Sequence, residues 1–371
     1  MCAMQEARGS SVEPAAGSGL AEVSERAREY ARSSLAASTR VAYGRDWGEF
    51  EAWAAAEGYR ALPASQETVC AYVSQCADLY ADGQPVFAPA TLERRVAAIG
   101  SVHQWAGFAS PTSGPMVATV LAGVRRELSG KRPVRRMTPL LVKDVRHMVQ
   151  ALPTTWPGCV CAARDEALLL LGWFGGFRRS ELAALTWADV APGEAGLAVT
   201  VRGGKTDQTH RGQTKAIPRA SAGVVPCPVC ALARWARVQL AGGDRVEVMR
   251  AVLGKRSGGH CCSGDTFSRA RTELAGLPVL PRVNKHGGVT RAPISGHAVA
   301  LVVADRAAKA GLEGRYGGHS LRAGFVTEAL RRGATYAEVM AQTGHTDPAT
   351  VEIYNRRTNP FGGNAVTRLG L

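Results

Sequence analysis

HSLRAGFVTEALRRGATYAEVMAQTGHTDPATVEIYN, residues 319–355, holds three short helical patterns and four polar residues that their surroundings do not need for packing. The apolar spacing predicts helices over 319–332, 335–342 and 347–355. Asp347-Pro348 supplies a cap followed by proline at the first helical position. His319 and Arg322, three residues apart, share one helix face. Gly344-His345 follows the second helix, and Tyr354 comes nine residues after His345.

Working upstream, Ser295 to Ala310 reads as a strong amphipathic helix. LAVTVR, 197–202, alternates as a strand does, and TKAIPR, 214–219, is its expected partner. The turn-rich GGKTDQTHRGQ between them makes a hairpin that carries Lys205 at its tip, and Lys215 lies on the same hairpin. Further upstream, ARDEALLLLGWFGG is nearly all apolar after Glu166 and predicts a buried central helix. It runs into Gly175-Gly176-Phe177-Arg178-Arg179-Ser180-Glu181-Leu182. A charged Arg178 at the end of a buried helix needs a partner, with Glu181 or a phosphate as the candidates. Thr138-Pro139 is expected to open the first helix of this region.

These residues are the parts needed to cut a phosphodiester without metal. Guanidinium forks neutralise charge on the non-bridging oxygens. An acid protonates the leaving oxygen and a base assists the nucleophile. A tyrosine oxygen can be that nucleophile and leave a covalent intermediate.

Before residue 138 the chain changes character. Four amphipathic helices are expected: Ser38 to Glu57, Ser65 to Tyr80, Pro89 to Gly107 and Met116 to Leu128. Ser38 or Thr39 is the expected cap of the first. Arg94, Arg95 and His103 lie off the apolar stripe of the third, on a face that is either solvated or turned to nucleic acid. RRELSGKRPVRR, 125–136, carries six basic residues and one acidic one, with Gly130 and Pro133 as breakers. It reads as a hinge whose Arg125, Arg126, Lys131, Arg132, Arg135 and Arg136 can lie along phosphates. The expected organisation is a disordered tail over 1–22, a helical domain over 23–128, a basic linker over 129–137 and a mainly helical domain with a small antiparallel sheet over 138–371.

The chain has 45 Lys plus Arg against 31 Asp plus Glu, a net charge of +14. This balance favours a polyanionic partner, most often nucleic acid, over a basic surface kept for solubility. No apolar run approaches a membrane span, and the first residues lack the apolar core of a signal peptide, so a cytoplasmic, DNA-associated protein is expected. Nine cysteines without such a signal argue for reduced thiols. Cys227-Pro-Val-Cys230, with His260-Cys261-Cys262 about 30 residues on, has spacing compatible with zinc. Adjacent Cys261 and Cys262 point in different directions, so packing at a helix N-terminus is the favoured reading and no metal is expected, and residues 243–293 carry no assigned role.

The ordered set Gly176-x-Arg178-x-Ser180-Glu181-Leu182, Lys205, His319-x-x-Arg322, Gly344-His345 and Tyr354 resembles the tyrosine recombinases, or phage integrase family, over about residues 138–371. The four preceding helices look like that family's SAM-like core-binding domain. The resemblance implies the simple two-domain architecture and a mainly α fold with an α+β catalytic domain. It implies a site-specific recombinase that needs no metal or cofactor. Tyr354 would attack the phosphate and form a 3′-phosphotyrosine. Arg178 and Arg322 would hold the non-bridging oxygens, Lys205 would protonate the 5′ oxygen, and His319 would assist proton transfer. His345 would bond the phosphate and Glu181 would support the site. It further implies clamped double-stranded recombination sites, a homo-tetramer, a Holliday junction, and in some systems an accessory directionality factor. A topoisomerase IB-like enzyme and a decayed DNA-binding regulator are the alternatives.

Overall fold

The computed structural model describes residues 26, 30, 34–131, 136–203, 212–221, 226–254, 260, 262 and 265–354. The chain forms two compact units, Met1–Arg135 and Arg136–Leu371. Among the described residues no helix is long and apolar enough to cross a membrane.

The first unit is built from α1 (Ala37–Ala56), α2 (Gln66–Ala77), α3 (Pro89–Trp105) and α4 (Pro115–Leu128). Their apolar stripes meet in a core of Phe50, Val69, Val73, Leu92, Val96, Ile99 and Val117. Each such side chain contributes about 1.5–3 kcal/mol by leaving water. Ser65 caps α2 by accepting the Thr68 N–H at 3.2 Å. The expected cap of α1 is wrong: Ser38 and Thr39 lie inside the helix, which starts after Ala36 with no side-chain cap. Tyr80 is not in α2 either. It opens a two-residue strand, β1 (Tyr80–Ala81), which pairs antiparallel with β2 (Gln84–Pro85). Asp82 and Gly83 both take positive φ, the geometry of an Asp-Gly hairpin turn, and this turn ends the helical pattern.

The second unit continues with α5 (Val142–Gln150), α6 (Gly158–Phe174), α7 (Arg179–Ala184), β3 (Val190–Pro192), β4 (Gly196–Val201), β5 (Gln213–Pro218), α8 (Pro228–Leu240), α9 (Arg245–Leu253), α10 (Thr266–Glu273), β6 (Pro281–Val283), β7 (Val289–Pro293), α11 (Gly296–Lys309), α12 (Gly318–Arg331), α13 (Tyr336–Thr343) and α14 (Pro348–Glu352). The β3-β4-β5 sheet is antiparallel, with Lys215 opposite Val199, and adds one strand to the expected hairpin. Thr138-Pro139 does not open a helix. Thr138 and Leu140 instead spend their N–H groups on the carbonyls of Arg315 and Ser320, and α5 begins at Val142. The segment 243–293 is not structureless but holds α9, α10 and the β6–β7 hairpin.

Helix α6 is the axis of this unit, with Leu168 to Leu171 fully buried. The charges in its first half are buried and paired. Asp165 takes Arg164 at 2.7 Å and Arg306 of α11 at 2.6 Å, and Glu166 takes Arg234 of α8. Leaving any of these alone would cost several kcal/mol, on the order of 3–5. Helix α12 packs on the same axis through the Leu140 backbone, whose carbonyl accepts the Trp173 indole N–H at 2.8 Å.

Candidate active site

Four connections of the second unit bring the polar set together. The end of α6 and the start of α7 supply Arg178 and Glu181. Strand β5 supplies Lys215, α12 supplies His319 and Arg322, and the turns around α13 and α14 supply His345 and Tyr354. Glu181 is nearly buried. One carboxylate oxygen accepts the Arg178 guanidinium at 2.7 Å and the other its backbone N–H at 2.9 Å, which caps α7. The two partners weighed for Arg178 are therefore not exclusive: it pairs with Glu181 and keeps part of its guanidinium open. Its neighbour Arg179 is exposed.

Arg322 is 1% exposed. Its Nη1 donates to the Gly176 carbonyl at 2.7 Å and the Thr343 carbonyl at 2.6 Å. Its Nη2 is buried and has no hydrogen-bond partner. A buried charged donor left unused is costly. Tyr354 lies in the turn after α14, packed with Val326, Val339 and Val351. Its hydroxyl sits 2.5 Å from Nε2 of His319.

Around them, titration is skewed in one direction. Burial pulls Lys215 down to about 8, with Arg322 and Arg178 repelling it further and Glu181 opposing. Burial, then Arg178, lowers Arg322 to about 10. Loss of water on its inner side, then Arg322 and Arg178, holds His319 below its ordinary value. Burial, then the same two guanidiniums, His319 and Lys215, takes His345 to about 3. Three cations share one carboxylate, and the pocket selects for an anion.

His345 is held by a residue the sequence reading passed over. The Thr343 hydroxyl lies 2.6 Å from the Val339 carbonyl and 2.8 Å from His345 Nδ1. A carbonyl only accepts, so the hydroxyl proton goes there and Nδ1–H donates to Thr343. Nε2 of the neutral ring then carries the lone pair. Lys215 is also fully buried, donating to the Gln342 carbonyl at 2.8 Å, 3.8 Å from Glu181 and over the Phe177 ring. Of the two hairpin lysines, this one belongs to the packed base of the site; Lys205 lies outside the described residues.

The nucleic-acid candidates of the first unit divide. His103 does not face outward: it is fully buried, bonded through Nδ1 to the Ile99 carbonyl and through Nε2 to the Ala64 N–H. Arg95 is buried too, bonded to Tyr72 and Glu49 and stacked on Phe87. Both are core residues because α3 packs on more than one neighbour, which widens its buried face. Arg94 is half-exposed in a two-bond pair with Asp46. Arg125 is exposed and paired with Glu93, Lys131 is exposed and paired with Glu127, and Arg126 and Arg136 are exposed. Arg132 and Arg135 lie outside the described residues.

Comparison with known proteins agrees with this geometry. Residues 267–359, which include His319, Arg322, His345 and Tyr354, match the model of the phage integrase family. An integrase/recombinase xerD homolog of Selenomonas ruminantium is 29% identical over 352 residues, covering 93% of this chain and 89% of that protein. Tyrosine recombinase XerC of Xylella fastidiosa (strain 9a5c) is 25% identical over 86% of each chain. Among solved structures, the fold is similar to XerH site-specific recombinase in a post-cleavage complex with palindromic difH substrate. The TM-score is 0.51 at 12% identity, over 83% of this chain and 70% of that one. It is also similar to the Tn1549 transposon integrase in complex with transposon right-end DNA, with a TM-score of 0.50 at 13% identity over 93% and 98%. Fold and relatives together make the chain similar to site-specific recombinases. Over residues 267–359 the chain matches the phage integrase family, and along most of its length it is similar to tyrosine recombinases.

Proposed function

We propose that this enzyme cleaves and rejoins double-stranded DNA at specific sites through a 3′-phosphotyrosine. The observation that carries this reading is the buried, unused Nη2 of Arg322 in a cationic pocket that also holds a tyrosine hydroxyl on a histidine nitrogen. A scissile phosphate satisfies Nη2 and the open side of Arg178. Tyr354 Oη attacks phosphorus and gives its proton to Nε2 of His319, which is neutral at physiological pH. The 5′ oxygen leaves with a proton from Lys205; Lys215 is committed to Gln342 inside the protein. Burial and then the nearby cations lower His345; an anion beside it offsets the second of these and so favours a protonated Nε2 that can bond a phosphate oxygen. The liberated 5′ hydroxyl then attacks a partner strand's phosphotyrosine. The bond energy is conserved, and two such exchanges pass through a Holliday junction in a tetramer. Arg94, Arg125, Arg126, Lys131 and Arg136 are the proposed backbone contacts among the described residues. Integration, excision or resolution of a mobile element or replicon is the proposed setting, with an accessory factor setting direction.

Covalent trapping tests this. The protein and Tyr354→Phe are incubated with sheared genomic DNA, denatured, and the attached ends sequenced. Attachment that needs Tyr354 and clusters at a near-palindromic site is expected. Attachment scattered over the genome would favour a strand-relaxing topoisomerase IB-like enzyme. Binding without attachment would favour a DNA-binding regulator.

A further inference from the structure

We infer that Cys227, Cys230, His260 and Cys262 bind one structural zinc ion. Their ligand atoms all lie within 4.8 Å of one another. Zinc–sulfur and zinc–nitrogen bonds of about 2.3 and 2.0–2.1 Å at tetrahedral angles put a thiolate sulfur about 3.5 Å from an imidazole nitrogen. Cys230 Sγ and His260 Nδ1 are 3.5 Å apart. Three thiols and one imidazole, all within 4.8 Å of one another, are the donor set of a closed tetrahedral site of the structural kind.

The ligands come from two places in the chain. Cys227 is the cap residue of α8 and Cys230 lies in its first turn. His260 and Cys262 lie between α9 and α10, 30 or more residues later. Pro228 at the first position of α8 needs no N–H there, and the three-residue step from Cys227 to Cys230 leaves both sulfurs close to each other. Cys230 and Cys262 are buried, whereas His260 is exposed and closes the outer side. Metal replaces three thiol protons, Zn²⁺ + 3 Cys–SH + His → Zn(Cys⁻)₃(His) + 3 H⁺, so the folded clip carries one net negative charge. It ties the start of α8 to the chain entering α10, within the segment 243–293 that otherwise carries no role. α8 in turn braces α6 through Arg234 and Glu166. The ion is remote from the reaction in sequence and takes no part in the chemistry proposed above.

The test is metal content and coordination, read without DNA. Protein purified under reducing conditions is expected to hold one zinc per chain, released when a mercurial blocks its thiols. Metal-free protein titrated with Co²⁺ is expected to develop tetrahedral visible bands and a sulfur-to-cobalt charge-transfer band, saturating at one equivalent. Cys230→Ser and Cys262→Ser lose both signals, and Cys161→Ser, outside the cluster, keeps them. Background zinc with no tetrahedral cobalt spectrum overturns the inference, as does a Cys227–Cys230 disulfide in the freshly purified chain. Zinc that survives both Cys→Ser changes also overturns it. Should those variants fail to fold, the cobalt titration of the unaltered protein still decides.

Discussion

Thr343 shows how much of the site rests on groups with no chemistry of their own. Its carbonyl holds Arg322 and its hydroxyl fixes the tautomer of His345. Thr343→Val keeps the shape and the carbonyl but removes the acceptor for Nδ1–H. One such hydrogen bond is worth about 0.5–1.5 kcal/mol, roughly 2- to 13-fold in rate. Phosphotyrosine formation is expected to slow by that factor while DNA affinity is unchanged, as single-turnover cleavage and a binding isotherm would show. The grouping of His319, Arg322, His345 and Tyr354 was legible in the sequence because helix period and short turns link them, whereas Lys205 lies outside the described residues. Thr343 could not, and Lys215 stood only as the second lysine of the hairpin, because main-chain carbonyls hold both and every residue has one. Arg95 and His103 were misplaced for the opposite reason: a charged or polar side chain reads as exposed until its buried partners are known.

At the scale of elements, α12 matters most, since it carries His319 and Arg322. Gly324 lets it lie against the Leu140 backbone; a Cβ there would stand 1.7 Å from the Leu140 carbonyl oxygen. That oxygen cannot retreat without losing the Trp173 indole. Gly324→Ala is therefore expected to destabilise the second unit by more than about 2 kcal/mol, visible as a lower urea midpoint with an unchanged slope. The turn at Gly344 takes φ of +71°, which strains any residue that carries a Cβ, although the Gln213 side chain such a Cβ would meet can move aside. Helices with strong periodicity were legible to within a few residues. Short elements were not, because the N–H groups of Thr138 and Leu140 are claimed by chain almost 180 residues away, a tie that local sequence cannot encode.

For the molecule as a whole, the buried cations are a store of unfavourable energy that an anion relieves. Inorganic phosphate, a fragment of the DNA backbone, is expected to raise the melting temperature in the absence of DNA. A ligand at 100 times its Kd adds about 2.7 kcal/mol of stability. Differential scanning calorimetry should show this gain in the unaltered protein and its loss in Arg322→Met. The seat of Tyr354 has a further consequence. Its hydroxyl already rests on the His319 of its own chain, with the guanidiniums of that chain around it. On the proposed function, each copy therefore cuts its strand with its own tyrosine, histidine and fork. Mixing a copy that lacks the tyrosine, Tyr354→Phe, with one that lacks the fork, Arg322→Ala, should leave every strand uncut, however well the two assemble.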